Sequence, residues 1–171
     1  MEKTTILVGI LAFIIVIGAF VYFVSGVSAT IPPIKKYQYM GSMNRLITGL
    51  GNYASKTPDM TFKITDTAGN RGDGYAIYMN VKMIKDRHQF EYHLKCEEND
   101  SKPTITKTAL VFAYDATNNS GGYGMSATGI NVLIENFDND FLPRLKTSQN
   151  IELSAVKPTF LDPLKHVWNG D

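Results

Sequence analysis

His88–Glu97 reads HQFEYHLKCE, and this stretch decides the fold. His88, Phe90, Tyr92, Leu94 and Cys96 fall on one side of an extended chain, while Gln89, Glu91, His93 and Lys95 fall on the other. Successive side chains of a strand point to opposite faces, so this alternation predicts a sheet with one covered and one wet face. Immediately upstream, Tyr75–Ile84 reads YAIYMNVKMI, a second strand. Lys85-Asp86-Arg87 is short enough to join the two as a hairpin. Further back, Met60, Phe62 and Ile64 alternate with Thr61, Lys63 and Thr65, and the turn-rich run AGNRGDG, Ala68–Gly74, follows. Downstream, a polar loop at 98–103 leads into TITKTALVFAYD, Thr104–Asp115, a fourth strand. Strands joined by such short connections predict an antiparallel meander.

Helical spacing flanks this meander. Met40, Met43, Leu46, Ile47 and Leu50 predict a short amphipathic helix over about 42–50, with Ser42 as its cap and Gly49 and Gly51 as its stop. ATNNSGGYG, Ala116–Gly124, reads as a flexible loop. Beyond it, Ile130, Leu133, Ile134, Phe137, Phe141 and Leu145 predict a second amphipathic helix, bent near Pro143. Asp138 and Asp140 on that helix are expected to face water. Ile151–Val156 reads as a fifth short strand. The sum is an α+β domain, an antiparallel sheet of about five strands with one or two helices packed on it. A β-sandwich is the alternative, should residues 122–137 be extended.

Ahead of this domain, Ile6–Val24 reads ILVGILAFIIVIGAFVYFV, and no charge occurs from Thr4 to Ile34. A bilayer core needs about 20 apolar residues as helix, and a single span with no water around its backbone has to be helical. The run predicts a membrane anchor over residues 1–30. A cleaved signal peptide is the competing reading, because Val27-Ser28-Ala29 fits the small-residue rule for cleavage. The thin basic flank and the long apolar run favour a retained anchor. Thr5, Ala12, Ala19 and Gly26 recur at a constant interval and form a stripe of small residues, where another membrane helix can approach closely. Residues 31–36, with Pro32 and Pro33, read as a stiff spacer. Lys35, Lys36, Tyr37 and Tyr39 suit the headgroup zone or the first element of the domain. The soluble domain spans 37–157, and 158–171 forms a docking tail, where Asp162 and Pro163 open a helix that Leu164, Val167 and Trp168 dock. The basic residues after the span lean toward a cytoplasmic domain. The signal-like position of the span and the surface composition of the strands place it outside the cytoplasm instead.

The chain carries 17 basic and 16 acidic residues, so there is no basic field for nucleic acid. A single cysteine, Cys96, excludes an intramolecular disulfide. His88, His93 and Cys96 are the one group of soft ligand types, but strand alternation puts His93 on the face opposite the other two, so no metal is expected. Asp115, Thr117 and Asn119 imitate the start of a calcium loop, yet Ser120 and Ser126 stand where that loop needs glycine and glutamate. Gly121-Gly122-Tyr123-Gly124 lacks the lysine of a phosphate cradle. No nucleophile–base arrangement, cofactor motif or small-molecule substrate is identified.

These readings predict a non-catalytic structural or binding subunit of a multiprotein membrane or surface assembly. Its partners are the lipid bilayer and other membrane helices or copies of itself. Trp168 and the loops at Asn70 and Asn118 are the expected contact points, since exposed aromatics and loops mark interfaces. One alternative is the repeating subunit of a filament or virion. The layout of apolar helix plus β-rich domain is shared by pilin-like subunits, but their processing site is not recognisable here. The other alternative is a tethered enzyme or metal carrier using His88, His93 and Cys96.

Overall fold

A two-residue turn sets the register of the central hairpin. Asp86 and Arg87 have φ values of 50° and 70°, the left-handed pair that the tightest right-twisted hairpins require. In this computed structural model, which describes residues 32–70, 73–99 and 102–157, they join β3 (Asp73–Lys85) to β4 (His88–Asn99). Lys85 pairs with His88 and the ladder runs unbroken from there to Ala76 and Glu97. β2 (Met60–Asn70) pairs with β3 on one side, and β5 (Lys102–Asp115) pairs with β4 on the other. The meander read from the sequence is therefore present.

The far side of β5 is shared. β1 (Lys35–Tyr39) pairs with β5 from Thr106 to Leu110, and β6 (Ser120–Tyr123) pairs with it from Phe112 to Asp115. β7 (Leu153–Ala155) closes that edge by pairing with β1. Among the described residues one antiparallel sheet of seven strands results, in the order β2-β3-β4-β5-β1-β7 with β6 beside β5. This corrects the expected count of about five. β1 begins inside the stretch read as spacer, and β6 lies inside the stretch read as loop. Residues 122–137 hold the end of β6, a turn and a helix, so the sandwich alternative does not apply.

Helices cover one sheet face. α1 (Met43–Lys56) buries Met43, Leu46, Leu50 and Tyr53 and is capped by the Ser42 hydroxyl, which accepts from the Arg45 amide at 3.4 Å. It runs through Gly49 and Gly51, which were expected to end it. Gly49 is there for closeness: a β-carbon at that site would lie 2.0 Å from Ile151 Cδ1. The helix ends at Thr57, whose hydroxyl donates to Tyr53 O at 2.9 Å, just before Pro58. α2 (Ile130–Asn136) continues through a π-helical turn, Phe137–Phe141, into α3 (Leu142–Gln149). The extra residue of a π turn lets Phe137 and Phe141 both reach the core, where their ring centroids are 5.0 Å apart. Phe137 also meets Tyr37 at 5.6 Å and Tyr92 at 5.0 Å.

The same turn corrects the expectation that Asp138 and Asp140 face water. Asp138 accepts from the Tyr37 hydroxyl at 2.6 Å and from Lys35, and Asp140 pairs with Lys85 at 3.2 Å and Arg144 at 2.7 Å. Burial and the Asp138 carboxylate push the Tyr37 hydroxyl pKa far up, so it stays a donor.

Among the described residues no helix is long and apolar enough to cross a membrane. The expected anchor with Thr5, Ala12, Ala19 and Gly26, and the tail with Trp168, lie outside the described residues.

Candidate functional site

The strand β4 separates the three soft ligand types. His88 and Cys96 point to the helix-covered side and His93 to the open side. His88 and Cys96 are also eight residues apart in sequence, roughly 26 Å along a strand. Among the described residues no three His, Cys, Asp or Glu side chains converge on a metal position. Cys96 is fully buried, 3.4 Å from the Thr108 hydroxyl, and burial pushes its thiol up to about 12.

His88 and Asn118 meet at the end of the sheet around Asp115. Asp115 is 4% exposed. Its Oδ2 is 2.9 Å from His88 Nδ1 and accepts from Asn118 Nδ2 at 2.8 Å, while Oδ1 accepts from the amides of Thr117 at 2.9 Å and Asn118 at 3.3 Å. Burial pushes this carboxyl up, but the donors outweigh it and hold it below the usual range. A carboxylate only accepts, so Nδ1 of His88 carries its proton toward Asp115. The Thr117 hydroxyl accepts from the Gln89 amide at 3.0 Å, so the cluster ties the β5–β6 turn to the β3–β4 hairpin. Asn118, read as a contact residue, is part of this tie. Asn70 ends β2.

A second constellation lies on the open face. Asn80, His93, Phe112 and Tyr123 are consecutive cross-strand partners on β3, β4, β5 and β6. Lys82, Glu91, Tyr114 and Gly121 form the adjacent row. The His93 and Phe112 rings are 4.5 Å apart, Phe112 and Tyr123 4.7 Å, and Phe112 and Tyr114 5.9 Å. At one end Glu91 Oε1 accepts from Asn80 Nδ2 at 2.6 Å and from His93 Nε2 at 2.8 Å, and Oε2 pairs with Lys82 at 3.1 Å. Burial acts to raise the Glu91 carboxyl, and these three donors more than reverse it, so it titrates below its ordinary range. At the other end Tyr123 is 51% exposed, and the Tyr114 hydroxyl is anchored on Asn119 Oδ1.

Two local irregularities build this strip, and neither is visible as periodicity. The register between β4 and β5 shifts at Val111, where Leu94 faces Leu110 but His93 faces Phe112. That bulge inverts the alternation, so Leu110 and Ala113 enter the core while Phe112 and Tyr114 turn outward. In β6, Gly121 has φ 104°, and a β-carbon there would lie 2.2 Å from Ala113 O and 2.5 Å from Leu133 Cδ1. Only glycine lets β6 sit against β5 beneath α2 and carry Tyr123 to the open face.

Two open grooves lie away from the strip. One of about 380 Å³ lies beside α1 and includes Arg45, Asn52 and Gln149; the other, of about 500 Å³, runs between α3 and β7 past Tyr37, Pro143 and Leu153. No family model, curated protein or solved structure matches the chain.

Proposed function

We propose that the chain is a membrane-anchored, non-catalytic binding or structural subunit of a multiprotein membrane or surface assembly, with its folded domain outside the cytoplasm. The anchor in this reading is the apolar run Ile6–Val24, which holds the subunit in the bilayer beside other helices or copies of itself.

One observation carries the binding role. Three strands, β4, β5 and β6, hold an aromatic strip of His93, Phe112 and Tyr123 on the face that the helices leave open, half exposed at Tyr123. An exposed aromatic surface on a rigid sheet suits recognition, because its side chains are already ordered and lose little freedom when they engage a partner. His93 is engaged by the Glu91 carboxylate, which supports a fixed framework within the strip.

Extraction in a mild detergent followed by size analysis tests the assembly. A particle larger than one chain in its micelle, with partners that co-purify, is the expected result. A lone monomer would remove the assembly from the proposal.

A further inference from the structure

We infer that residues 158–171 make a second membrane contact, lying in the surface of a zwitterionic bilayer next to the anchor, an inference that rests on the membrane-anchored reading above. The pairing of β1 with β7 brings the two connections together. The chain enters the described domain at Pro32 and leaves it at Lys157. Tyr37 pairs with Ala155, and the Val156 amide donates to Lys36 O at 2.9 Å. Entry and exit therefore lie on neighbouring strands, about 5 Å apart, although they stand at opposite ends of the domain's sequence. Phe160, the first large apolar residue past Val156, stays within about 14 Å of that point even at full extension.

The composition of this segment selects a lipid surface. Phe160 and Leu161 precede Asp162-Pro163, and Leu164, Val167 and Trp168 follow, with Lys165, His166 and Asn169 set among them. Positions three and four apart share one helix face, so the last three apolar residues form a stripe and the polar ones fall off it. These few apolar side chains cannot span a bilayer core, which needs about 20. They suit a segment that lies in the interface plane with one face in the acyl boundary. Tryptophan fits that depth, because its ring is apolar and its N–H is polar. Lys165 stands against Asp162 and Asp171, so apolar burial drives the contact, and anionic headgroups are not required.

Two features of the described domain favour lipid over a protein surface. The first is the tether. With the anchor's connection one strand away, binding to the bilayer is intramolecular and the local concentration of lipid is high. The second is the surface around the junction. β6 runs along β5 toward the start of β1, so that Tyr123 faces Phe112 while Lys35 faces Leu110. Met125, just past the end of β6, is 56% exposed, and Val156 at the exit is 42% exposed. Apolar side chains are thus left bare beside both chain connections, where the bilayer boundary can cover them.

Trp168 is the one tryptophan of the chain, so its fluorescence reads this segment alone. The full chain is reconstituted into phosphatidylcholine vesicles, ordinary or brominated near the upper end of the acyl chains, and floated on a density gradient. The expected emission is shifted to the blue and loses about half or more of its intensity in the brominated lipid, as a ring at headgroup depth requires. Val167→Asp, which puts a charge in the apolar stripe, should abolish both effects, and Asn169→Asp, off the stripe, should keep them. A floating chain with blue emission that bromine does not quench has Trp168 buried against protein. A floating chain with the emission of tryptophan in water has it in solvent, open to a protein partner instead. Either result overturns the tail contact and leaves the anchor standing, and so does quenching that Val167→Asp leaves unchanged. A chain that does not float removes the anchor and this inference with it, so the two failures are distinct.

Discussion

Asp115 is a carboxylate that burial disfavours and four donors restore. Its pKa is lower in the folded chain than in the unfolded chain, so it stabilises the fold fully above the ordinary aspartate value near ~3.9. That contribution disappears as pH falls through the lower folded value. Urea unfolding measured from neutral pH into the acid range should show Asp115→Asn losing part of this acid dependence. At neutral pH, Asp115→Ala should cost about 2–3 kcal/mol, because hydrogen bonds to a charged group are lost and buried donors are left without partners. An Asp115→Ala variant as stable as the parent would show that the turn does not depend on this cluster. Cys96 gives a second check at the same scale. Its thiol is fully buried with a pKa pushed up to about 12, and the thiolate is the reactive form. Alkylation in native buffer should proceed only at the rate of global opening, and should accelerate in step with unfolding as urea is added. Rapid labelling of the native chain would contradict its burial.

Glycines show at the scale of the element how the same residue serves different ends. Gly49 and Gly51 lie in one helix. A β-carbon at Gly49 would press on Ile151 at 2.0 Å, whereas at Gly51 the nearest atom is Phe62 Cδ1 at 3.8 Å, an ordinary contact. Gly51→Ala should therefore stabilise the domain by about 1 kcal/mol through helix propensity. Gly49→Ala should lose that gain to the clash and recover it when Ile151 is shortened to Val or Ala. A double-mutant cycle over positions 49 and 151 reads this coupling directly. The two glycines suggested a helix stop because propensity is local, while the contact with Ile151 is made by a segment a hundred residues away in the chain. The strip was hidden for a related reason. Phe112 and Tyr114 belong to a strand that was legible, but the bulge at Val111 decides which way they face. Tyr123 sits in a glycine-rich stretch whose composition reads as loop, and only pairing with β5 makes it a strand. The alternation of β4, by contrast, was sufficient by itself to assign His93 to the open side, because no irregularity interrupts its ladder with β3.

Seen as a whole molecule, the legible part of the fold is the part built from neighbours in the chain. β2 to β5 follow one another through short connections and pair in sequence order, so hydrophobic alternation and turn residues were enough to find them. β1 was ambiguous because KKYQY is five residues long and its charge pattern also suits a headgroup zone. Its place depends on β5 and β7, which come much later. The π turn was missed because helical spacing does not announce an extra residue, and with it the partners of Asp138 and Asp140 were missed.

The position of β1 between β5 and β7 also bears on biosynthesis. The ribosome delivers this strand first, yet one of its neighbours is completed only near the end of translation. Until Leu153–Ala155 emerges, the outer backbone groups of β1 have no ladder partner, and a bare strand edge recruits other chains. Nascent or prematurely terminated polypeptides ending before Leu153 should therefore form oligomers or engage chaperones. Chains extended past Val156, whose amide bonds Lys36 O at 2.9 Å, should not. Pulse-labelling of stalled chains of graded length, followed by sedimentation, would show the switch at that point.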